Sequence, residues 1–295
     1  MNFSEDQFAS WAMSPSQTEQ DRMDNAERAV RAAISASVRL SNRDIRVFAQ
    51  GSYRNRVNVR QDSDVDVAVV CRNTVFWDGP PGATLASVGL TEASYYYEDF
   101  RREVGEALTS HFKGGVVTTG DKAFDVKANT YRVEADVAPF FEHRRFDAAG
   151  DWITGVEMRP RSGGRIINWP DQHYDNAVWK NTETARSFKG CVRILKTLRY
   201  KMVADGFKSA SESTSFLMEC LIWNVPNNLF GSTTWTAEMR SCLAYLYNNT
   251  IHFADCTEWG EVSELKYLFR GDKAWTFAGT QRFLSDCWNY IGYEG

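Results

Sequence analysis

Val47-Phe48-Ala49-Gln50-Gly51-Ser52-Tyr53, followed after a polar run by Ser63-Asp64-Val65-Asp66-Val67-Ala68-Val69-Val70, is the stretch on which the fold of this 295-residue chain turns. In a strand, residues two apart share a face. Asp64 and Asp66 therefore project together from the start of an apolar run suited to a buried strand. Carboxylates that close repel one another unless a cation lies between them. Hard oxygen ligands suit Mg²⁺, which takes one or two carboxylates together with substrate phosphates. Gly51-Ser52 closes an upstream apolar run and offers a backbone able to approach a phosphate, with a hydroxyl beside it. An Asp-x-Asp alone is also common on surface turns, so the Gly-Ser and any further carboxylate carry the weight.

A further carboxylate is present. Tyr131-Arg132-Val133-Glu134-Ala135-Asp136-Val137-Ala138-Pro139 alternates like a strand, with Val133, Ala135 and Val137 on one face and Arg132, Glu134 and Asp136 on the other. Carboxylates from two neighbouring strands suffice for two Mg²⁺ ions, with Mn²⁺ an alternative. One ion would bind a triphosphate and the other would lower the pKa of an attacking hydroxyl. Asp136 falls to the acceptor side as a ligand and candidate general base. The competing account is a solvated strand residue.

Periodicity orders the rest. Residues from Ser16 to Leu40 read as a helix, with Met23, Ala26, Ala29, Val30, Ala33 and Val38 at helical steps. Ile45 to Ala49 and Asp64 to Cys71 read as strands, and Phe76 to Gly89, rich in Pro and Gly, as a loop. A helix is expected over Ala93–Phe112, strands over Lys122–Lys127 and Arg132–Phe140, and a hairpin over Gly155–Asn168 around Ser162-Gly163-Gly164. Beyond that, helices are expected over Glu183–Ala204, Ser215–Asn224, Thr236–Asn248 and Thr280–Ile291. The order predicts a mixed-sheet catalytic half with an N-terminal helix, residues 1–175, and a helical half, residues 176–295, forming a cleft in which ligands would bind.

A hydrophobic content of 43% with 14% aromatics excludes a disordered chain. No apolar run approaches the roughly 20 residues of a membrane span. The N-terminus, Met1-Asn2-Phe3-Ser4-Glu5-Asp6, lacks the basic and apolar regions of a signal peptide, so a cytoplasmic protein is expected. The six cysteines show no C-x-x-C pairing and read as reduced core thiols. A net charge of −4 disfavours a long nucleic-acid substrate, because neutralising phosphates needs a basic surface.

Gly-Ser, then Asp-x-Asp, then a single downstream Asp resembles the polymerase β-like nucleotidyltransferases. The closer resemblance is to the bacterial cGAS/DncV-like enzymes (CD-NTases), with the CdnE-like clade the candidate within them. It is carried by Phe48-Ala49-Gln50-Gly51-Ser52-Tyr53, Asn58-Val59-Arg60, Ser63-Asp64-Val65-Asp66, Glu134-Ala135-Asp136-Val137-Ala138-Pro139, Asn168-Trp169-Pro170-Asp171-Gln172-His173-Tyr174, Lys180-Asn181 and Phe188-Lys189, and it covers most of the chain. One departure is Val57, where members often carry a small polar residue, flanked by the charges of Arg54 and Arg56. The resemblance implies an α+β fold, a polymerase β-like mixed sheet with a C-terminal helical subdomain. It also implies Mg²⁺-dependent joining and cyclisation of NTPs into a cyclic di- or trinucleotide for anti-phage signalling (CBASS), by an enzyme that works as a monomer.

The same resemblance assigns residues. Gln50, Gly51 and Ser52 would line the triphosphate, and Asp64, Asp66 and Asp136 the metals. In the cyclic GMP-AMP synthase of animals a Lys in a Cys-x-x-x-x-Lys helix contacts the donor triphosphate, and Cys191 and Lys196 reproduce that spacing. The Ser-aromatic pair that follows in that enzyme, binding phosphate and stacking on the base, corresponds to Ser215-Phe216. Lys189 is a competing cation on a similar face of the same helix. Asn176 is the candidate base reader, since an amide both donates and accepts, while a cap or hinge hydrogen bond is the alternative. His173 reads as structural. The terminal Gly295 raises conjugation by a ubiquitin-transfer-like partner. Two other functions stay open: nucleotide transfer to RNA, an antibiotic or a protein, and a degenerate nucleotide-binding or regulatory protein.

Overall fold

The computed structural model describes residues 2–59 and 64–293, so Arg60 and Ser63 of the sequence motifs, and Gly295, lie outside the described residues. In chain order the elements are α1 (Glu5–Ala12), α2 (Gln17–Ser35), β1 (Ile45–Ala49), the single turn α3 (Gly51–Arg54), β2 (Val65–Asp78), α4 (Tyr97–His111), β3 (Val117–Thr119), β4 (Phe124–Val126), β5 (Ala135–Phe146), β6 (Trp152–Met158), β7 (Ile166–Asn168), α5 (Pro170–Glu183), α6 (Ser187–Ala204), α7 (Lys208–Ser211), α8 (Ser215–Trp223), α9 (Trp235–Asn248) and α10 (Phe277–Ile291). They assort into two compact units with separate cores. A sheet unit comprises residues 16–54 and 64–171; a helical unit comprises 2–15, 55–59 and 172–293.

The sheet unit is built on a mixed sheet of seven strands among the described residues, in the order β1-β2-β5-β4-β3, with β6 on β5 and β7 on β6. Only β2 and β5 run parallel; the other pairs are antiparallel. Helices α2 and α4 pack on this sheet, burying Met23, Ala26 and Val30 from one and Phe100, Val104 and Leu108 from the other. Residues spaced three and four apart make these apolar stripes. Ser16 starts α2 with a capping box: its hydroxyl accepts from the Glu19 amide, and the Glu19 carboxylate accepts from the Ser16 amide at 2.8 Å.

In the helical unit α6 lies at the centre, with Phe188, Cys191, Ile194, Leu195 and Leu198 fully buried. The Arg193 guanidinium donates to the Ala12 carbonyl (Nε, 2.8 Å) and the Arg56 carbonyl (Nη1, 2.6 Å). Glu5 of α1 accepts from the Trp235 and Thr236 amides at 2.7 and 2.9 Å, so a residue distant in sequence caps α9.

Several expected boundaries move. Helix α2 stops at Ser35, leaving Val38 85% exposed, while Leu40 turns back into the core. Strand β2 continues past Cys71 through a bulge to Asp78, pairing with Glu142–Arg145, so the expected loop begins only at Gly79-Pro80-Pro81. Phe76 and Trp77 favour a pleated surface, and the prolines end it. Strand β5 starts at Ala135, and Arg132, expected on the polar face, is buried over the Phe112 ring and donates to the Lys127 carbonyl. The stretch between the expected hairpin and the helix expected from Glu183 is itself the helix α5, entered through Pro170 in the first turn, where a missing N–H costs nothing. Helix α6 begins at Ser187 because Ala185 and Arg186 take positive φ (48° and 74°). Helix α1 and strand β3 carried no expectation.

Candidate active site

Alternation along β2 buries Val65 and Val67 and leaves Asp64 and Asp66 exposed. The parallel register sets Asp66 opposite Asp136, and the antiparallel register of β4 sets Asp125 opposite the same residue. Asp66, Asp136 and Asp125 thus form a row across three adjacent strands. Asp125 was missed from sequence: it is the one polar residue of Phe124-Asp125-Val126, and only the strand pairing brings it to Asp136.

The crowding has an electrostatic signature. The Asp136 carboxyl is pushed up to about 6, first by burial, then by the charges of Asp125, Asp64 and Glu134 and by a hydrogen bond with Asp125. Burial and like charges that together lift a carboxyl this far are what a divalent cation would relieve. Among the described residues no three His, Cys, Asp or Glu side chains close tightly enough to enclose a cation unaided. Mg²⁺ needs no such cage, since it keeps waters and takes substrate phosphate oxygens. The donor set therefore fits Mg²⁺.

Gly51 is placed by the same sheet. The Gln50 amide donates to the Asp66 carbonyl at 2.8 Å, extending the β1–β2 ladder by one residue. The chain then turns at Gly51 with φ +64°, and a Cβ there would run into Asp66 Oδ2. Only glycine lets the Gly51-Ser52 backbone lie against the carboxylate. Asp171 holds this turn from behind: Arg46 makes two hydrogen bonds to it, at 2.7 and 3.0 Å, and Arg54 a third at 2.8 Å. Burial would raise the Asp171 carboxyl, but the Arg46 and Arg54 hydrogen bonds hold it below the usual range. Val57, the departure from the family pattern, is a fully buried core residue of the helical unit.

In the helical unit, Lys196 of α6 is 1% exposed. Ser215 opens α8, its hydroxyl 3.0 Å from Tyr200 Oη. Phe216 is 37% exposed, its ring flanked by His173 at 5.7 Å and Trp275 at 6.1 Å between centroids. His173 Nε2 donates to Glu219 at 2.8 Å. Glu219 is another residue that sequence reading missed. Burial would raise its carboxyl, but His173, then Lys196 and Lys189, pull it below the usual range. Asn176 donates to the Val262 carbonyl at 2.8 Å. Lys180 donates to the Val225 carbonyl and Asn227, caged by Phe188, Trp223 and Phe230, and Asn181 accepts from the Lys189 amide. The Lys180-Asn181 pair is thus accounted for by structure.

A relative named cyclic dipyrimidine nucleotide synthase CdnE, from Cecembia lonarensis, is 41% identical over 99% of this chain and 99% of its own. The chain belongs to the cGAS/DncV-like nucleotidyltransferases. The model of that family's C-terminal helical domain matches residues 175–292. A cyclic dipurine nucleotide synthase from Elizabethkingia meningoseptica is 34% identical over the full length of both chains. The solved structure of the Elizabethkingia meningoseptica CdnE cyclic dinucleotide synthase with GTP and Apcpp superposes with a TM-score of 0.83 at 33% identity, covering 99% of this chain and 100% of that one. The Rhodothermus marinus CdnE c-UMP-AMP synthase with Apcpp and Upnpp gives 0.86 at 25% identity, covering 99% of each. This cGAS/DncV-like protein is therefore a nucleotidyltransferase enzyme with the polymerase β-like fold. None of its described helices is long and apolar enough to cross a membrane.

Proposed function

We propose that this nucleotidyltransferase joins ATP or other NTPs and closes them into a cyclic di- or trinucleotide second messenger, acting in the cytoplasm in anti-phage defence (CBASS). The support is the pairing of Asp66 with Asp136 beside Gly51, in a chain whose full-length relatives are named cyclic nucleotide synthases. Asp64, Asp66 and Asp136 would hold Mg²⁺, two ions in the full complement, with Mn²⁺ able to substitute. When bound, the metal neutralises triphosphate charge and acidifies the attacking ribose hydroxyl. Gln50, Gly51 and Ser52 present main-chain groups and a hydroxyl to the phosphates. Asp136 accepts the hydroxyl proton as that oxygen attacks the α-phosphorus and the bond to pyrophosphate breaks. The linear intermediate then presents its own triphosphate for ring closure.

From the helical unit, Lys196 and Ser215 are proposed as phosphate contacts and Phe216 as the stacking surface, an interaction of about 1–3 kcal/mol per base. Asn176 keeps a second amide proton and its carbonyl oxygen for a base edge, the first proton being given to Val262. Pyrimidine nucleotides are the first substrates to try, because two relatives at 41% identity are cyclic dipyrimidine synthases.

The test is incubation of the protein with Mg²⁺ and four labelled NTPs, then phosphatase treatment and mass spectrometry. A small phosphatase-resistant product is expected, lost in Asp64→Asn and Asp66→Asn. A ladder of linear products, or label passing only to added RNA, would overturn the proposal. Monomeric mass by light scattering, and a conjugate at Gly295 in native protein by mass spectrometry, check the two partner assignments.

A further inference from the structure

Helix α8 brings more than Ser215 and Phe216 to its first turns. Thr214 caps it by accepting from the Leu217 amide, and Glu219 follows one turn after Ser215. Glu219 is 2% exposed, embedded in the apolar run Leu217-Met218-Glu219-Cys220-Leu221. Its Oε1 accepts from His173 Nε2 of α5 at 2.8 Å. Lys196 and Lys189, both on α6, are the other charges that act on it. Its carboxylate therefore takes a hydrogen bond from α5 and feels the charges of two lysines on α6, and His173 in turn lies beside the exposed Phe216 ring at 5.7 Å and 38°. The Ser215–Tyr200 hydrogen bond joins α8 to α6 one turn further along.

As a device for stability this arrangement is a poor one. Burying a carboxylate carries a desolvation penalty that its ion pairs barely offset, and a well-packed apolar residue at such a position is often as stable or more so. The groups that Glu219 gathers are instead the base platform and the cations proposed for the triphosphate. We propose that Glu219 is a positioning residue for nucleotide binding: it sets the His173 ring against Phe216 and fixes Lys196 and Lys189 on the face of α6, so that base stacking and phosphate contact share one anchor. This rests on the assignment of Lys196, Ser215 and Phe216 as nucleotide contacts.

The experiment compares the full-length wild type with Glu219→Gln, Glu219→Asp and His173→Gln. It measures the dissociation constant of a fluorescent non-hydrolysable NTP analogue in Mg²⁺, KM and kcat for product formation, and near-UV circular dichroism for folding. Glu219→Gln keeps an acceptor for His173 but removes the charge. It is expected to stay folded while Kd and KM rise about tenfold and kcat changes less than about threefold, the pattern of lost ground-state binding. Glu219→Asp should recover part of the affinity. His173→Gln, which can still reach Glu219 but offers no ring to Phe216, should raise Kd about threefold. A folded Glu219→Gln protein with unchanged Kd and KM overturns the proposal. If that variant does not fold, unchanged affinity in His173→Gln overturns it instead. Wild-type protein that binds the analogue but forms no cyclic product would refute the proposed function and leave the Glu219 comparison, read by binding, intact.

Discussion

At Gly51 a side chain meets two obstacles, a φ of +64° and the carboxylate of Asp66. Gly51→Ala should therefore do more harm to catalysis than to folding. The backbone strain costs about 1 kcal/mol, whereas displacing the carboxylate proposed to bind metal by an ångström or so costs on the order of 100-fold in rate. Urea denaturation and initial rates separate the two, and an Ala variant with full activity would show that Asp66 can move without consequence. Asp136 makes the opposite kind of prediction. Its folded-state carboxyl lies at about 6, above its ordinary 3.8. Between those values the folded protein holds more protons than the unfolded one, so stability in chelator should fall as pH rises through about 4 to 6. Asp136→Asn removes that slope and, discounting for partial exposure, should gain about 1–2 kcal/mol at pH 7 without metal. Added Mg²⁺ should then stabilise the wild type but not the variant. A variant no more stable than wild type in chelator would mean that the crowding carries no cost.

Among the elements, buried cations that hold main-chain carbonyls recur. Arg193 ties the end of α1 and the Arg56 carbonyl to α6, Lys180 ties the Val225 loop to α5, and Arg101 of α4 binds the Gly120 carbonyl at 2.8 Å. From sequence a charged residue on a helix reads as solvated, so the buried carbonyl contacts of Lys180 and Arg193 were not legible. Arg193→Met should cost about 2–4 kcal/mol, mostly by leaving the Ala12 and Arg56 carbonyls without donors in the interior. Equilibrium denaturation measures this, and a change below about 0.5 kcal/mol would mean water replaces the guanidinium. Strands β1 and β2 were legible because their signals are local: Ile45, Val47 and Ala49 share a face, and Val65 to Cys71 is an apolar run broken only at Asp66. The break between α5 and α6 was not, since Ala185 and Arg186 adopt positive φ without the glycine that usually signals it. Asp125 was hidden for a different reason: its importance comes from its cross-strand partner, and register is a property of two segments, not one.

For the whole molecule, two separate cores mean that one unfolding free energy is not guaranteed to describe it. Trp77, Trp152 and Trp169 belong to the sheet unit and the other seven of ten tryptophans to the helical unit, so fluorescence reports mainly on the latter. Phe188→Ala, at a fully buried site in α6, should remove about 3–5 kcal/mol from the helical unit. The fluorescence transition should move to lower urea ahead of the circular dichroism change. A single transition coincident by both probes would show that the cores melt together. The path of the chain carries one more consequence. Tyr53 is anchored in the sheet unit by hydrogen bonds to Gln20 and Asp24, and four positions later Val57 is sealed in the other core, next to an Arg56 carbonyl held by Arg193. In this short span Tyr53, Asn55 and Val57 are all buried, so its letters and its length are both constrained. A residue inserted between Arg56 and Val57 would break the register in which Val57 fills the helical core while Arg193 holds the Arg56 carbonyl, so natural variants and engineered libraries alike should keep the length of this pair fixed.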